Sequence, residues 1–364
     1  MSATAVRAGA VPVRELRLHQ RTIPTDGPES DGTAEWESTT IVIVEAHAGD
    51  AVGLGYTYGD AACATLIESM LAEVVTGADA MAVTAAWEAM GRALRNAGRP
   101  GIGSMAIAAV DTALWDLKAR LLDLPLATLL DACRDEVPIY GSGGFTSYSD
   151  DRLAEQLAGW AGQGIPRVKM KIGREPGRDP HRVAVARDAI GPQTALFVDA
   201  NGALSRKQAL GLAEELVAQD VTWFEEPVSA DDLPGLRLVR DRAPAGMEIA
   251  AGEYGYLLRD FQHLLDAGAV DCLQADVSRC QGITGFLRVA ALCQARSLEL
   301  SAHCAPALHL HACCAAPAFR HLEYFHDHVR IERMLFQGVA EPAGGVLRPD
   351  LSRPGNGLEL KEAV

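Results

Sequence analysis

The chain has no apolar run of about 18 residues, the length a bilayer-crossing helix needs. Its opening, MSATAVRAGAVPV, lacks the basic-then-apolar order of a secretory signal. No membrane partner is expected, and a cytoplasmic location is. Basic residues are in deficit: 33 Lys and Arg stand against 48 Asp and Glu, a formal charge of −15. Nucleic acid, which is bound by clustered Lys and Arg, is therefore not an expected partner. No CxxC pair occurs among the eight cysteines, Cys63, Cys133, Cys272, Cys280, Cys293, Cys304, Cys313 and Cys314. They lie mostly in apolar segments, so buried free thiols are expected rather than zinc ligands or disulfides.

What the chain does have is acid at regular intervals. Asp199 closes ALFVDAN, Glu225 lies in VTWFEEP and Glu253 in EIAAGEY, at steps of 26 and 28 residues. That is about one strand, one helix and two loops of a parallel β/α array. Carboxylates so spaced sit on neighbouring strand ends and face one another. They would repel unless a hard divalent cation lay between them, and oxygen-only ligands suit Mg²⁺. Other reactive groups continue the interval: Lys169 and Lys171 in RVKMKIG, Asp276 in DCLQAD, His303 in LELSAH and Glu323 in HLEYF. Each of these alone reads as a surface charge or a helix cap. Seven successive strand ends with an ionisable residue do not, because an unpaired buried charge costs several kcal/mol.

The organisation agrees. A length of 364 residues and 48% hydrophobic content suit a barrel of about 250 residues with a second domain. Residues 13–24, 39–49 and the following VGLGYTYG read as a meander of three strands, with TDGPESDGTAEWE as a long exposed loop between the first two. Helical periodicity follows over Ala61–Val75, Ala80–Ala97 and Met105–Leu122. From Val137 strands and helices alternate, with strands at VPIYGSGG, RVKMKIG, ALFVDAN, VTWFEEP, EIAAGEY, DCLQADV, LELSAHC and HLEYF. The expectation is an α/β protein: a (β/α)8, TIM-like barrel over 135–337 with an N-terminal α+β capping domain over 1–134. The turn-rich tail, 338–364, is expected to pack back on that cap.

With these residues in place, the chain resembles the enolase superfamily, and within it the mandelate racemase subgroup. KxK, VDAN, WFEEP and GE at successive strand ends, followed by an Asp and a His, carry the resemblance, which runs to PGNGLEL near the end. It implies Asp199, Glu225 and Glu253 as ligands of Mg²⁺. It also implies Lys171 as one acid/base catalyst and the His303–Asp276 pair as the other, on opposite faces of a small carboxylate substrate. Lys169 and Glu323 would then lie at the substrate carboxylate, and a homo-oligomer is expected. The chemistry asks for such groups independently: removing a proton next to a carboxylate forms an enediolate, whose charge a metal stabilises. Lys171 must be neutral to act as base, and Lys169 with the nearby cation is expected to lower its pKa.

Dehydration of an acid sugar is the expected outcome, with racemisation or epimerisation of a 2-hydroxy acid as the alternative and a catalytically silent binding homologue as the non-enzyme one. Asn201 either caps the next helix or touches substrate. Arg279 is a rim charge or a substrate contact, Trp36 a lid anchor or an exposed aromatic, and Tyr56 belongs to a turn expected to help choose the substrate. His309, His311, His321, His326 and His328 read as loop or helix histidines rather than a second metal site. Two departures from relatives stand out: Cys280-Gln281-Gly282 replaces a Gly-Gly pair, and Asp276 stands where muconate-cycloisomerising and dipeptide-epimerising branches have lysine.

Overall fold

In a computed structural model, which describes residues 10–361, three long strands come first. β1 (Glu15–Ser30), β2 (Glu35–Ala48) and β3 (Ala51–Tyr58) form an antiparallel sheet in sequence order. The apolar Ile41–Val44 run of β2 is wholly buried, Val42 and Val44 against the cap helices and Ile41 and Ile43 in the core shared with the barrel. Helical turns follow over Ala62–Val75, Val83–Ala93 and Ile102–Leu121, with a π-helical stretch at Ile67–Leu71. Of these, Ile102–Leu121 packs directly on the sheet and is buried along most of its length.

The segment expected as a long exposed loop is instead mostly strand. β1 runs on to Ser30 with a register shift between Pro24 and Glu29, and only Asp31–Ala34 turns. Glu29 is 1% exposed. This hairpin tip lies on the barrel: a Cβ on Gly32 would meet Ala200 O at 2.3 Å and Ile172 O at 2.8 Å, so the contact admits only glycine. Its Gly, Pro and Asp content describes the tight turn and hides the strand around it.

Eight parallel strands then close on themselves: β4 (Val137–Gly143), β5 (Arg167–Lys171), β6 (Ala195–Asp199), β7 (Val221–Glu225), β8 (Glu248–Ala251), β9 (Cys272–Ala275), β10 (Glu299–Ala302) and β11 (Phe319–Phe325). Pairing of β11 with β4 completes the barrel. Strand alternation sorts the side chains. Val168, Met170, Leu196, Val198 and Phe224 point out to the helices, where they join the main apolar core. Tyr140, Phe197, Trp223 and Cys272 fill a layer inside the barrel. The charged residues of the same strands sit above that layer, so the apolar plug shuts one end and leaves the chemistry at the other.

Helices occupy the connections near their expected positions, for example Asp150–Gly162, Asp179–Ile190 and Gly282–Ala295. One further helix, His326–Leu335, follows β11 with no intervening loop. The tail touches both parts. β12 (Phe336–Gln337) pairs with β14 (Glu359–Leu360), β13 (Val346–Leu347) adds antiparallel to β4, and Asn356 bonds to Asp116 and Leu54 of the cap. The tail thus meets the cap and, through the β13–β4 pairing, the barrel as well. The outermost residues of the expected cap and tail, 1–9 and 362–364, lie outside the described residues.

Candidate active site

The chain leaves several barrel strands through left-handed turns at non-glycine residues, with φ of 45° at Asn201, 36° at Glu226, 67° at Gln281 and 53° at Cys304. Such conformations are costly and persist only where the surroundings impose them. Gln281 and Gly282 (φ 87°) together make the turn that enters the helix Gly282–Ala295, and Trp87 Nε1 donates to Gln281 O at 2.8 Å.

Asp199, Glu225 and Glu253 come together at the barrel mouth. All three are buried, with ligand oxygens within 4.8 Å of one another. Lys169, fully buried, pairs with Glu225 at 2.6 Å, Glu323 at 2.8 Å and Asp199 at 3.4 Å. Lys171 Nζ lies 2.5 Å from Asp199 Oδ2. Burial, with Asp199 nearby, still pushes the Glu225 carboxyl up to about 7. Glu253 goes the other way: burial is outweighed by His303, and its carboxyl is held well below the usual range. Three buried carboxylates whose oxygens converge are a donor set suited to a hard divalent cation.

Lys171 was expected to have a lowered pKa. Burial does lower it, but Asp199 in direct contact more than offsets this, and the amine is raised above its ordinary value. The same balance keeps Lys169 protonated. Across the site, His303 Nδ1 lies 2.9 Å from Asp276 Oδ2, while Nε2 is 3.2 Å from Glu253 and 3.7 Å from Glu323. Burial disfavours the charged ring, but Cys304, Glu253, Glu323 and the Asp276 hydrogen bond outweigh it and raise His303 well above its usual value. Asp276 is correspondingly held low and accepts from Ser278 N and Oγ, which fixes it.

A cavity of about 410 Å³ lies over these groups, a normal size for a small-molecule site. Lys171, Glu253, Asp276 and His303 face it from the barrel, and Trp36 from the hairpin. Asn201 and Arg279 also line it. Asn201 is not the helix cap, a place taken by Ser205 with Gln208; its Oδ1 has no protein hydrogen-bond partner. Arg279 lies 3.6 Å from Glu253 and 3.7 Å from Asp276. Lys169 and Glu323 sit beneath the cavity, where Glu323 accepts from Ser142 Oγ at 2.5 Å and Cys304 N at 3.0 Å.

Tyr56 is placed elsewhere. It is fully buried, donates to Glu332 Oε1 at 2.6 Å and stacks on Phe336, because its strand position faces the seam between cap and barrel. Its neighbour Tyr58 lines the cavity instead, stacked on His328. Two residues at the floor escaped sequence reasoning. Glu226 is 1% exposed, and burial with Glu253 and Asp199 nearby raises its carboxyl well above its usual range. Cys304 Sγ lies 3.3 Å from His303 Nε2. Their only sequence signal is adjacency to a strand-end residue, and strict alternation would send both away from the site.

The histidines of the cluster are individually engaged. His309 accepts from Val277 N, His311 from Ala127 N and His328 from Ala305 N; His321 bonds to Ser301, and His326 to Asp26. All eight cysteines are free, and all but Cys133 are buried. Among the described residues no helix is long and apolar enough to cross a membrane.

Comparison with known proteins places this geometry. Residues 16–131 match the mandelate racemase/muconate lactonizing enzyme N-terminal domain, and 152–364 the enolase C-terminal domain-like family. A 3,6-anhydro-alpha-L-galactonate cycloisomerase of Streptomyces coelicolor is 35% identical over 94% of this chain and 95% of its own. A mandelate racemase/muconate lactonizing enzyme-like protein from Rubrobacter xylanophilus superposes with TM-score 0.95 at 58% identity, over 97% of this chain and 98% of its own. L-talarate/galactarate dehydratase of Salmonella typhimurium, liganded with Mg and L-lyxarohydroxamate, gives TM-score 0.89 at 28% identity, over 100% of this chain and 94% of its own. The chain therefore belongs to the mandelate racemase subgroup of the enolase superfamily and is an enzyme of that family.

Proposed function

We propose that the protein is an Mg²⁺-dependent hydro-lyase that removes the α-proton of an acid sugar and then expels the β-hydroxyl as water. The observation that carries this is the placing of Lys171 and His303 on one cavity above three clustered carboxylates. Asp199, Glu225 and Glu253 would hold the Mg²⁺. A cation there supplies positive charge for the two oxygens of the enediolate.

The remaining steps belong to the chain. Lys171 takes the α-proton once its own proton, held by Asp199, has been given up. His303 is held as imidazolium by Asp276 and Glu253, so it is charged for proton donation to the leaving hydroxyl as the C–O bond breaks. The enol then takes up a proton and becomes a 2-keto-3-deoxy acid. Lys169, between Glu225 and Glu323, keeps positive charge under the substrate carboxylate. Asn201, Arg279 and Trp36 bind substrate.

Likeness to the Streptomyces cycloisomerase favours a second reading. When the oxygen on the β-carbon belongs to a ring ether, the same abstraction and protonation open the ring without releasing water. Epimerisation would use the same pair with the proton returned at the α-carbon. Incubation with hexonates, pentonates, aldarates and 3,6-anhydro acids tests this: a 2-keto product supports elimination, and inversion without keto acid contradicts it.

A further inference from the structure

We propose that the lid-side half of the cavity is a subsite for an uncharged, hydroxyl-bearing tail, so that the substrate has one carboxylate and not two. This rests on the proton-abstraction reading of the barrel floor. The cations that face the cavity, Lys171, Arg279 and His303, all come from barrel strand ends, and Arg279 is already shared between Glu253 and Asp276.

The lid half has the opposite character. Two carboxylates, Asp31 and Asp60, face it together with the hydroxyl residues Ser38, Thr39, Thr40 and Tyr58. Asp31 Oδ1 is held by the backbone N–H groups of Thr33 and Ala34, and Asp60 Oδ1 by that of Ala62, so both carboxylates are fixed in place. His328 also lines this half, but burial pushes its pKa down to about 3 and its Nδ1 accepts from Ala305 N.

The cations around the lid are committed elsewhere, and none lines the cavity among the described residues. Arg152 and His326 pair with Asp26, while Arg330 pairs with Asp327 and donates to Pro24 O. A second carboxylate on the tail would lie beside Asp31 and Asp60, like charge against like, without a counter-charge. Sugar hydroxyls meet no such cost, because they donate to carboxylates and accept from Ser and Thr.

The test compares a hexonate with the hexarate of the same configuration, which differ only in oxidation at the far carbon. With the Mg²⁺-loaded protein, kcat/KM for α-proton exchange should favour the hexonate by roughly 100-fold. Ser38 is exposed on the hairpin; Ser38→Arg should raise use of the hexarate and narrow that ratio by roughly 10-fold. Equal or better use of the hexarate by the wild type overturns the subsite while leaving proton abstraction standing. An unchanged ratio in Ser38→Arg overturns its assignment to the lid. Should no acid of either class exchange, the proton-abstraction reading fails. Unfolding-temperature shifts under the same two acids then decide the subsite, a larger shift with the hexarate overturning it.

Discussion

The barrel floor and the seam between cap and barrel both bury carboxylates, and they treat them in opposite ways. At the floor, Asp199, Glu225 and Glu323 are paired with Lys169 at 2.6 to 3.4 Å, and Asp276 with His303. At the seam, Glu29 and Glu332 have no cationic partner within ion-pair distance among the described residues, and burial pushes each up to about 8. Where the strand ends converge, buried carboxylates meet buried cations. At Glu29 and Glu332 burial favours the neutral carboxyl, and hydroxyl groups join the surfaces, Tyr56 to Glu332 and Ser30 to Thr146, while the more exposed Asp26 pairs across the seam with Arg152 and His326.

The largest break in this contrast should come from Glu225→Gln. It removes one of three clustered oxygens and the principal partner of Lys169, so Mg²⁺ binding by calorimetry should weaken and α-proton exchange should vanish. Next is the hairpin tip. Gly32→Ala would drive a methyl into Ala200 O and Ile172 O, lifting Asp31 and Trp36 from the cavity. A rise in KM of roughly 10-fold is expected, with faster proteolysis between residues 25 and 37. An unchanged KM would show that the tip does not position the lid.

A smaller effect separates the seam by pH. The folded-state value of Glu332, about 8, lies above the ordinary 4.5, so its proton stabilises the fold at low pH and that contribution is lost as pH rises from about 4.5 to about 8. The unfolding temperature should therefore fall across this window, by an amount equivalent to a few kcal/mol. Glu29 acts with the same sign. Glu332→Gln should flatten the fall, and an equally steep fall in that variant would remove Glu332 as its source. Tyr56→Phe is the mildest: it deletes one hydrogen bond to Glu332 and should cost about 1 kcal/mol of stability.

The barrel and its charged rim were legible because the signals repeat. Each β/α unit puts an ionisable residue at the end of an apolar run, and alternation settles which side chains point inward. The seam was not legible, because its partners are far apart in sequence: Tyr56 meets Glu332, and Asp111 meets Thr284. The helix His326–Leu335 was missed because it starts directly at the end of β11, without a capping residue or a turn. Glu226 and Cys304 were missed because left-handed turns at both positions break the alternation on which inward or outward placement depends.

The most direct test of the account is α-proton exchange in D₂O by wild type, Lys171→Ala and His303→Asn, each with and without Mg²⁺. All three carboxylates remain in both variants, so each should fold and bind the metal while turnover falls by at least about 10²-fold. Wild-type exchange should stop on chelation. Near-normal turnover in either variant, or wild-type exchange indifferent to Mg²⁺, would contradict the assignment of the two groups above the carboxylate cluster.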